Sequence, residues 1–146
     1  MAGNRPISPH LGSYKWGPHM AVSILHRATG SALAIAGALI LLWWLGAIAG
    51  GEASYQAFIE TVWRAAPANG ASVAALSPTN WIGRIILFGL TWAFFQHFFS
   101  GLRHLVLDTG AGYELKTNRL WATIVMIGAG LATVAVWLFI LGRAIG

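Results

Sequence analysis

Residues 28–51 read ATGSALAIAGALILLWWLGAIAGG, a run of 24 positions with no charged side chain. Two further uncharged runs follow it, Ile85–Leu102 with 18 residues and Leu120–Gly142 with 23. A helix that crosses the hydrocarbon core of a bilayer needs about 20 predominantly apolar residues. We therefore predict three membrane-spanning helices, which together occupy nearly half of the 146-residue chain.

The overall composition agrees with this prediction. Hydrophobic residues make up 57% of the chain and charged residues only 9%, whereas soluble domains carry about 25% charged residues. The absence of cysteine excludes disulfides, iron–sulfur ligation by this chain and covalent haem attachment through thioethers. The nine basic residues are scattered and form no stripe, which argues against nucleic-acid binding.

The predicted fold is an all-α integral membrane protein with three transmembrane helices running up, down and up in a single domain, 1–146. Its predicted parts are an arm at 1–19, a span at 20–50, an outer connector at 51–79, a span at 80–105, a loop at 106–119 and a span at 120–143. Within the connector, residues 52–66 place apolar side chains at helical spacing, which indicates an amphipathic helix at the membrane interface. We expect the connector to carry no chemistry.

The distribution of lysine and arginine predicts the orientation. Six of the nine basic residues lie at the start of the chain or around the second loop, and three lie on the opposite side: Arg5, Lys15, Arg27, Arg103, Lys116 and Arg119 against Arg64, Arg84 and Arg143. The positive-inside rule then places the N-terminus in the cytoplasm and the C-terminus in the periplasm. The expected location is the bacterial cytoplasmic membrane.

Two polar clusters are brought to the same membrane face by this topology. One contains Ser23, His26 and Arg27, and the other follows His97 on the second span. His97, Gly101, His104 and Asp108 are separated by steps of four, three and four, so they share one helical face. Ionisable groups at membrane depth usually face a protein interior, a cofactor or a water path. We expect the two clusters to face each other.

The spacing of the histidines is compatible with a haem b site. His97 and His104 are about 10 Å apart along a helix, so one imidazole can ligate a central iron while the other lies near the edge of the macrocycle. The expected cationic partners of the haem propionates are His26, Arg27, Arg103 and His104. Alternatively, the interfacial cations only extend to the lipid headgroups, His97 is a buried structural histidine, and Gly101 is only a small-residue helix contact.

Ser23 and Arg27 form an i, i+4 pair on the first span. A hydroxyl donor beside a guanidinium can hydrogen-bond a quinone carbonyl and stabilise negative charge that develops on it. The alternative for Ser23 is a serine bonded to the backbone of its own helix.

Three segments resemble the cytochrome b556 subunit of succinate dehydrogenase. They are RPISPHLGSYKW (Arg5–Trp16), SILHRATG (Ser23–Gly30) and HFFSGLRHLVLDTG (His97–Gly110). In that family the corresponding motifs are RP-x-SPH-x-x-x-Y, S-I-x-HR-x-[TS]-G and H-x-x-x-G-x-RH-x-x-x-D. The match is ordered and specific, and it leaves only 52–79 and the third span without a motif. The first segment is most similar to the mitochondrial and alphaproteobacterial branch.

The resemblance implies roles for individual residues. His97 matches the axial ligand of haem b, and the second axial histidine is expected from the other small anchor subunit, so this chain forms half of a heterodimeric bundle. His26, Arg27 and His104 match positions near the propionates, with Arg103 a weaker match. Ser23 and Arg27 match the ubiquinone site, to which Asp108 is added as the acidic residue of the motif.

The function implied is that of a membrane anchor in a four-subunit succinate:ubiquinone oxidoreductase. FAD and the iron–sulfur clusters are expected only in two soluble partners, the flavoprotein and the iron–sulfur subunit, and no activity is expected from this chain alone. Two alternatives are the anchor of a quinol:fumarate reductase and, in a different class, a non-redox transport or scaffold subunit. The haem-free and the single-anchor dihaem fumarate reductases both fit the histidine pattern poorly.

Overall fold

The structure is a computed structural model that describes residues 16–63 and 78–145, with the side chains of 78, 79 and 143–145 excepted. Several predictions concern residues outside this part of the chain. They are the arm up to residue 15 with its cations Arg5 and Lys15, the part of the connector from Arg64 to residue 77, and the side chain of Arg143.

Five α-helices account for almost all of the described chain: α1 (Pro18–Ala32), α2 (Ala38–Ala49), α3 (Glu52–Val62), α4 (Pro78–Asp108) and α5 (Leu115–Ile145). A π-helical turn, Leu33–Gly37, joins α1 to α2, so that Pro18–Ala49 forms one long helix. Three helices are long and apolar enough to cross a membrane, namely Pro18–Ala49, Asn80–Asp108 and Leu115–Gly142. The predicted all-α class with three spans is confirmed.

The up-down-up course follows from contacts at the two ends of the bundle. His26 near the start of α1 contacts Ser100 near the end of α4, whereas Ala47 at the end of α2 lies in a cluster beside Leu87 near the start of α4. The long helix formed by α1 and α2 is therefore antiparallel to α4. In the same way, Arg103 of α4 bonds Asn118 at the start of α5. We call the end that holds His26, Ser100 and Asn118 the histidine end.

Glycines with positive φ end the helices at the turns. Gly51, with φ 83°, separates α2 from α3, and Gly110 and Gly112, with φ 85° and 82°, lie in the turn between α4 and α5. Such dihedrals are costly for any residue with a Cβ. The loop expected at 106–119 is shorter in the structure, because residues 106–108 remain in α4 and α5 begins at Leu115. Charge marks where a helix leaves the bilayer, while backbone geometry decides where the helix ends.

Small residues bring the three long helices together. Val22 of α1 and Ala122 of α5 are fully buried and form a core cluster with Val125, against which Phe99 of α4 packs. Elsewhere large apolar side chains are exposed, for example Leu39, Leu131 and Leu138 at 64–66% exposure. This distribution is expected where lipid replaces water as the surrounding medium, since association then depends on close packing between small residues.

The amphipathic stretch forms α3, which packs against the end of the bundle opposite the histidine end. Phe58 and Val62 are buried there with Ala47. Arg84 of α4 donates from Nη2 to the carbonyl oxygen of Trp63 at 2.9 Å. Gly83 faces the backbone of Val62, and a Cβ placed on Gly83 would overlap the carbonyl oxygen of Val62 and lie 2.9 Å from its Cα. A residue without a side chain is therefore required where α3 crosses α4.

We predict that Gly83→Ala destabilises the protein. The added methyl group has no room against the Val62 backbone, and overpacking of this kind costs roughly 1–3 kcal/mol. The measurement is the thermal unfolding midpoint of the detergent-purified protein. Gly89→Ala is the matched control on the same helix, since nothing lies within 4 Å of a Cβ at Gly89. Equal midpoints for the two variants would show that α3 does not depend on this contact.

Candidate functional site

Three histidines meet at the histidine end of the bundle. The rings of His26 and His97 stack with their centroids 4.0 Å apart and an interplanar angle of 8°. The ring of His104 lies 5.1 Å from that of His26, tilted by 59°. The structure thus brings together three of the predicted site residues. His26 on α1 is 71 positions before His97 on α4, and His104 follows on the same helix.

One hydrogen bond determines the protonation pattern of His97. Its Nδ1 lies 3.0 Å from the backbone carbonyl oxygen of His26, and a carbonyl oxygen can only accept, so Nδ1 carries the hydrogen. The Thr29 hydroxyl oxygen lies 3.5 Å from the same Nδ1, while Thr29 donates its own hydrogen to the carbonyl oxygen of Leu25 at 2.7 Å. In the neutral imidazole this tautomer has its lone pair at Nε2, the arrangement found in metal-ligating histidines whose other nitrogen bonds a backbone carbonyl.

Gly30 makes room for the His97 ring. A Cβ on Gly30 would lie 2.8 Å from Cε1 and 3.2 Å from Nδ1 of His97, closer than real contacts allow. Gly30 and Thr29, which is 3% exposed, both belong to the SILHRATG motif but are not among the predicted site residues. Their spacing could have indicated a role, because Thr29 and Gly30 lie three and four residues after His26 and therefore on the same helical face.

Ser100 fixes the orientation of His26. The Ser100 hydroxyl is fully buried and donates to the carbonyl oxygen of Gln96 at 2.5 Å. Because a serine has one hydroxyl hydrogen, the contact of 2.8 Å between Ser100 Oγ and Nδ1 of His26 has the imidazole as donor. A Cβ on Gly101 would lie 3.9 Å from Cε1 of His26, so the open side of this glycine faces that ring.

Ser23, Arg27 and Asp108 lie at the histidine end but outside the imidazole cluster. Ser23 is half-buried, and Arg27, one turn further along α1, is exposed, as is Asp108 at the last position of α4. Within the described part of the chain, no hydrogen bond or ion pair involves any of the three side chains. Arg27 and Ser23 are therefore free to contact a molecule outside this chain.

Arg103 is directed away from the histidines. It shares a face of α4 with Gln96 and Ser100, whereas His97 and His104 occupy the neighbouring face. Its guanidinium donates from Nη2 to the side-chain oxygen of Asn118 on α5, and it is 8% exposed. The Arg103 guanidinium thus contacts α5, whereas the His97 imidazole contacts α1.

These observations define a class of protein: a membrane protein with three spanning helices and a cluster of three histidines near one end of the bundle. A family model described as "Succinate dehydrogenase/Fumarate reductase transmembrane subunit" matches residues 1–138. The chain belongs to this family, and it is a multi-pass membrane protein.

Relatives named succinate dehydrogenase cytochrome b subunits cover most of the chain. The cytochrome b556 subunit of Paracoccus denitrificans is 39% identical over 114 residues, which are 78% of this chain and 75% of the relative. The cytochrome b556 subunit of Rickettsia conorii is 33% identical over 133 residues, 91% of this chain and 90% of the relative. The cytochrome b560 subunit of Reclinomonas americana is 35% identical over 137 residues, 92% and 85% of the two chains.

Proposed function

We propose that this chain is a membrane-anchor subunit of a succinate:ubiquinone oxidoreductase and binds haem b and ubiquinone. The observation that carries the proposal is the hydrogen bond from Nδ1 of His97 to the carbonyl oxygen of His26, which leaves Nε2 as the free ligating nitrogen. The relatives' names support succinate oxidation over the two alternatives, a fumarate reductase anchor and a non-redox transport or scaffold subunit.

The donor set fits a haem b. His97 would ligate the iron through Nε2, and a second anchor subunit would supply the other axial histidine, which makes this chain half of a heterodimeric bundle. His26, His104 and Arg27 are the cationic candidates for the propionates at the same end. When bound, haem b supplies one-electron redox chemistry whose potential depends on its axial ligands and burial. This chain holds the imidazole, through Thr29, Gly30 and the His26 carbonyl.

Ser23 and Arg27 would form part of the ubiquinone site. The two side chains lie one turn apart on α1, and their polar groups make no hydrogen bond elsewhere in the described chain. The Ser23 hydroxyl would donate to a quinone carbonyl oxygen, and the Arg27 guanidinium would stabilise negative charge that develops on that oxygen. Asp108, exposed at the end of α4, would exchange the protons that quinone reduction consumes.

The remaining chemistry would occur in partner subunits. A flavoprotein with FAD would oxidise succinate, and an iron–sulfur subunit would carry the electrons to the quinone. The basic residues support placing the histidine end in the cytoplasm: among the described side chains it holds Arg27, Arg103, Lys116 and Arg119, whereas the opposite end holds Arg84. The location would be the bacterial cytoplasmic membrane, with the C-terminus in the periplasm.

His97→Leu tests the haem assignment. Because leucine cannot ligate iron, the purified complex is expected to lose the b-type absorbance band or show it grossly altered. The measurement is the reduced-minus-oxidised absorbance spectrum. His104→Leu is the matched control, since it removes an imidazole from the same helical face without removing the proposed ligand. An unchanged spectrum in His97→Leu would contradict the assignment.

Gly30→Ala tests the positioning of the His97 ring. The added Cβ would lie 2.8 Å from the imidazole, so the ring must move and its hydrogen bond to the His26 carbonyl must distort. Loss of such a supporting contact weakens metal-site affinity roughly tenfold or more, and we expect weaker haem retention with a shifted midpoint potential. Gly46→Ala, on the same long helix with nothing within 4 Å of its Cβ, is expected to behave as wild type. Identical potentials and haem contents in both variants would remove Gly30 from the site.

Arg27→Leu tests the quinone assignment. Removing one charged donor from a developing oxyanion lowers kcat by roughly 100-fold or more, so succinate-driven ubiquinone reduction is expected to fall by about that factor. Succinate oxidation with a soluble artificial acceptor is expected to stay unchanged. Arg119→Leu, an exposed arginine at the same end, is the control. Equal loss of both activities in Arg27→Leu would instead indicate failed assembly.

A further inference from the structure

A cavity of about 230 Å³ lies between α4 and α5 at the histidine end. Its walls are mainly apolar, with Phe99, Leu102 and Val106 on α4 and Trp121 on α5. The lining also includes the polar residues Arg103 and Asn118. The volume is below the range of roughly 300–1,000 Å³ found for pockets that hold drug-sized ligands, so the cavity suits a narrow apolar chain rather than a whole ring system.

Arg103 brings a buried positive charge to this cavity without a negative partner among the described residues. Its Nη2 donates to Asn118, but Nε has no hydrogen-bond partner in the described residues. The whole chain has only four acidic residues, all of them described, and none forms an ion pair with Arg103. A buried, unpaired guanidinium is costly within a membrane protein. An anion from outside the chain would remove that cost.

We propose that the cavity is a binding site for an anionic phospholipid of the leaflet at the histidine end. The phosphate accepts hydrogen bonds from the Arg103 guanidinium, and part of one acyl chain fills the apolar cavity beside it. Arginine is well suited to phosphate because its planar group offers several donors. Basic pockets between transmembrane helices are known binding places for anionic headgroups. The site is independent of the haem and quinone assignments.

The position of Arg103 favours a lipid over a haem propionate. The residue lies on the α5 side of α4, and its guanidinium reaches Asn118, whereas His97 bonds α1 through the His26 carbonyl. It also lies five residues before the end of α4 at Asp108, about 7.5 Å along the helix. That depth is near the end of the predicted span, where lipid phosphates are found.

The test measures lipid binding to the full-length protein purified in detergent with its copurifying subunits. After delipidation the protein is titrated with phosphatidylglycerol or, separately, phosphatidylcholine in mixed micelles, and bound lipid is counted by native mass spectrometry. Wild type is expected to prefer phosphatidylglycerol. Arg103→Gln is expected to weaken phosphatidylglycerol binding by about fivefold, the contribution of one basic residue to an anionic lipid surface.

Asn118→Asp is the second variant, because it supplies a carboxylate to Arg103 in nearly the same volume. This internal anion is expected to compete with the phosphate and to weaken phosphatidylglycerol binding as strongly as Arg103→Gln does, while the thermal unfolding midpoint is retained. Arg119→Gln is the control for general attraction to anionic lipid and is expected to retain most of the binding.

Three outcomes would overturn the proposal. One is equal binding of the two lipids by wild type. Another is an equal loss of binding in Arg103→Gln and Arg119→Gln, which would show only surface attraction. The third is unchanged lipid binding in Arg103→Gln and Asn118→Asp together with an altered haem spectrum, which would assign the guanidinium to a propionate instead.

Discussion

The contact between Nδ1 of His97 and the carbonyl oxygen of His26 requires the backbone of α1 to lie within hydrogen-bonding distance of a side chain on α4. That approach is possible because Gly30 has no Cβ at the point where the His97 ring lies. The same approach places the His26 ring parallel to that of His97 and within reach of the buried Ser100 hydroxyl. The relative position of these two helices thus depends on one glycine and on polar groups that have no water to bond within the bilayer.

Close packing between small residues also holds the bundle together. In lipid the exposed apolar side chains gain nothing by moving inward, so helix association depends on close contact at positions such as Val22 and Ala122. These contacts lie near the histidine end, while α3 packs against the opposite end of the bundle through Gly83 and the Asn80 and Arg84 side chains. The two ends of the bundle are therefore held by different interactions, one around the imidazoles and the other around the α3 carbonyl groups.

The length of the uncharged runs was sufficient to predict the three spans, since the thickness of the bilayer sets the length that a spanning helix needs. Spacing also placed His97 and His104 on one face, and topology brought His26 to the same end. The sequence pattern could not predict the contact of Arg103, because the direction of a side chain on a nearly all-apolar helix depends on how that helix is rotated against α5. It also missed the acceptor of His97, because every residue has a backbone carbonyl and no sequence pattern distinguishes the carbonyl that becomes exposed to a neighbouring helix. Asn118 carried no signal for the same reason, since its role exists only opposite Arg103.

Several features of the chain require something outside it. His97 bonds through Nδ1 and leaves Nε2 for another partner. Nε of Arg103 has no hydrogen-bond partner among the described residues, and large apolar side chains such as Leu39 and Leu131 are exposed. Each of these groups suits a different partner. An imidazole nitrogen can bind a metal, a buried cation is stabilised by an anion, and an apolar surface is covered by lipid or by another apolar helix. The two polar groups contact different helices, because the His97 imidazole bonds the backbone of α1 and the Arg103 guanidinium bonds Asn118 of α5. Ser100 of α4 adds a further link to α1, because its buried hydroxyl oxygen bonds the His26 imidazole.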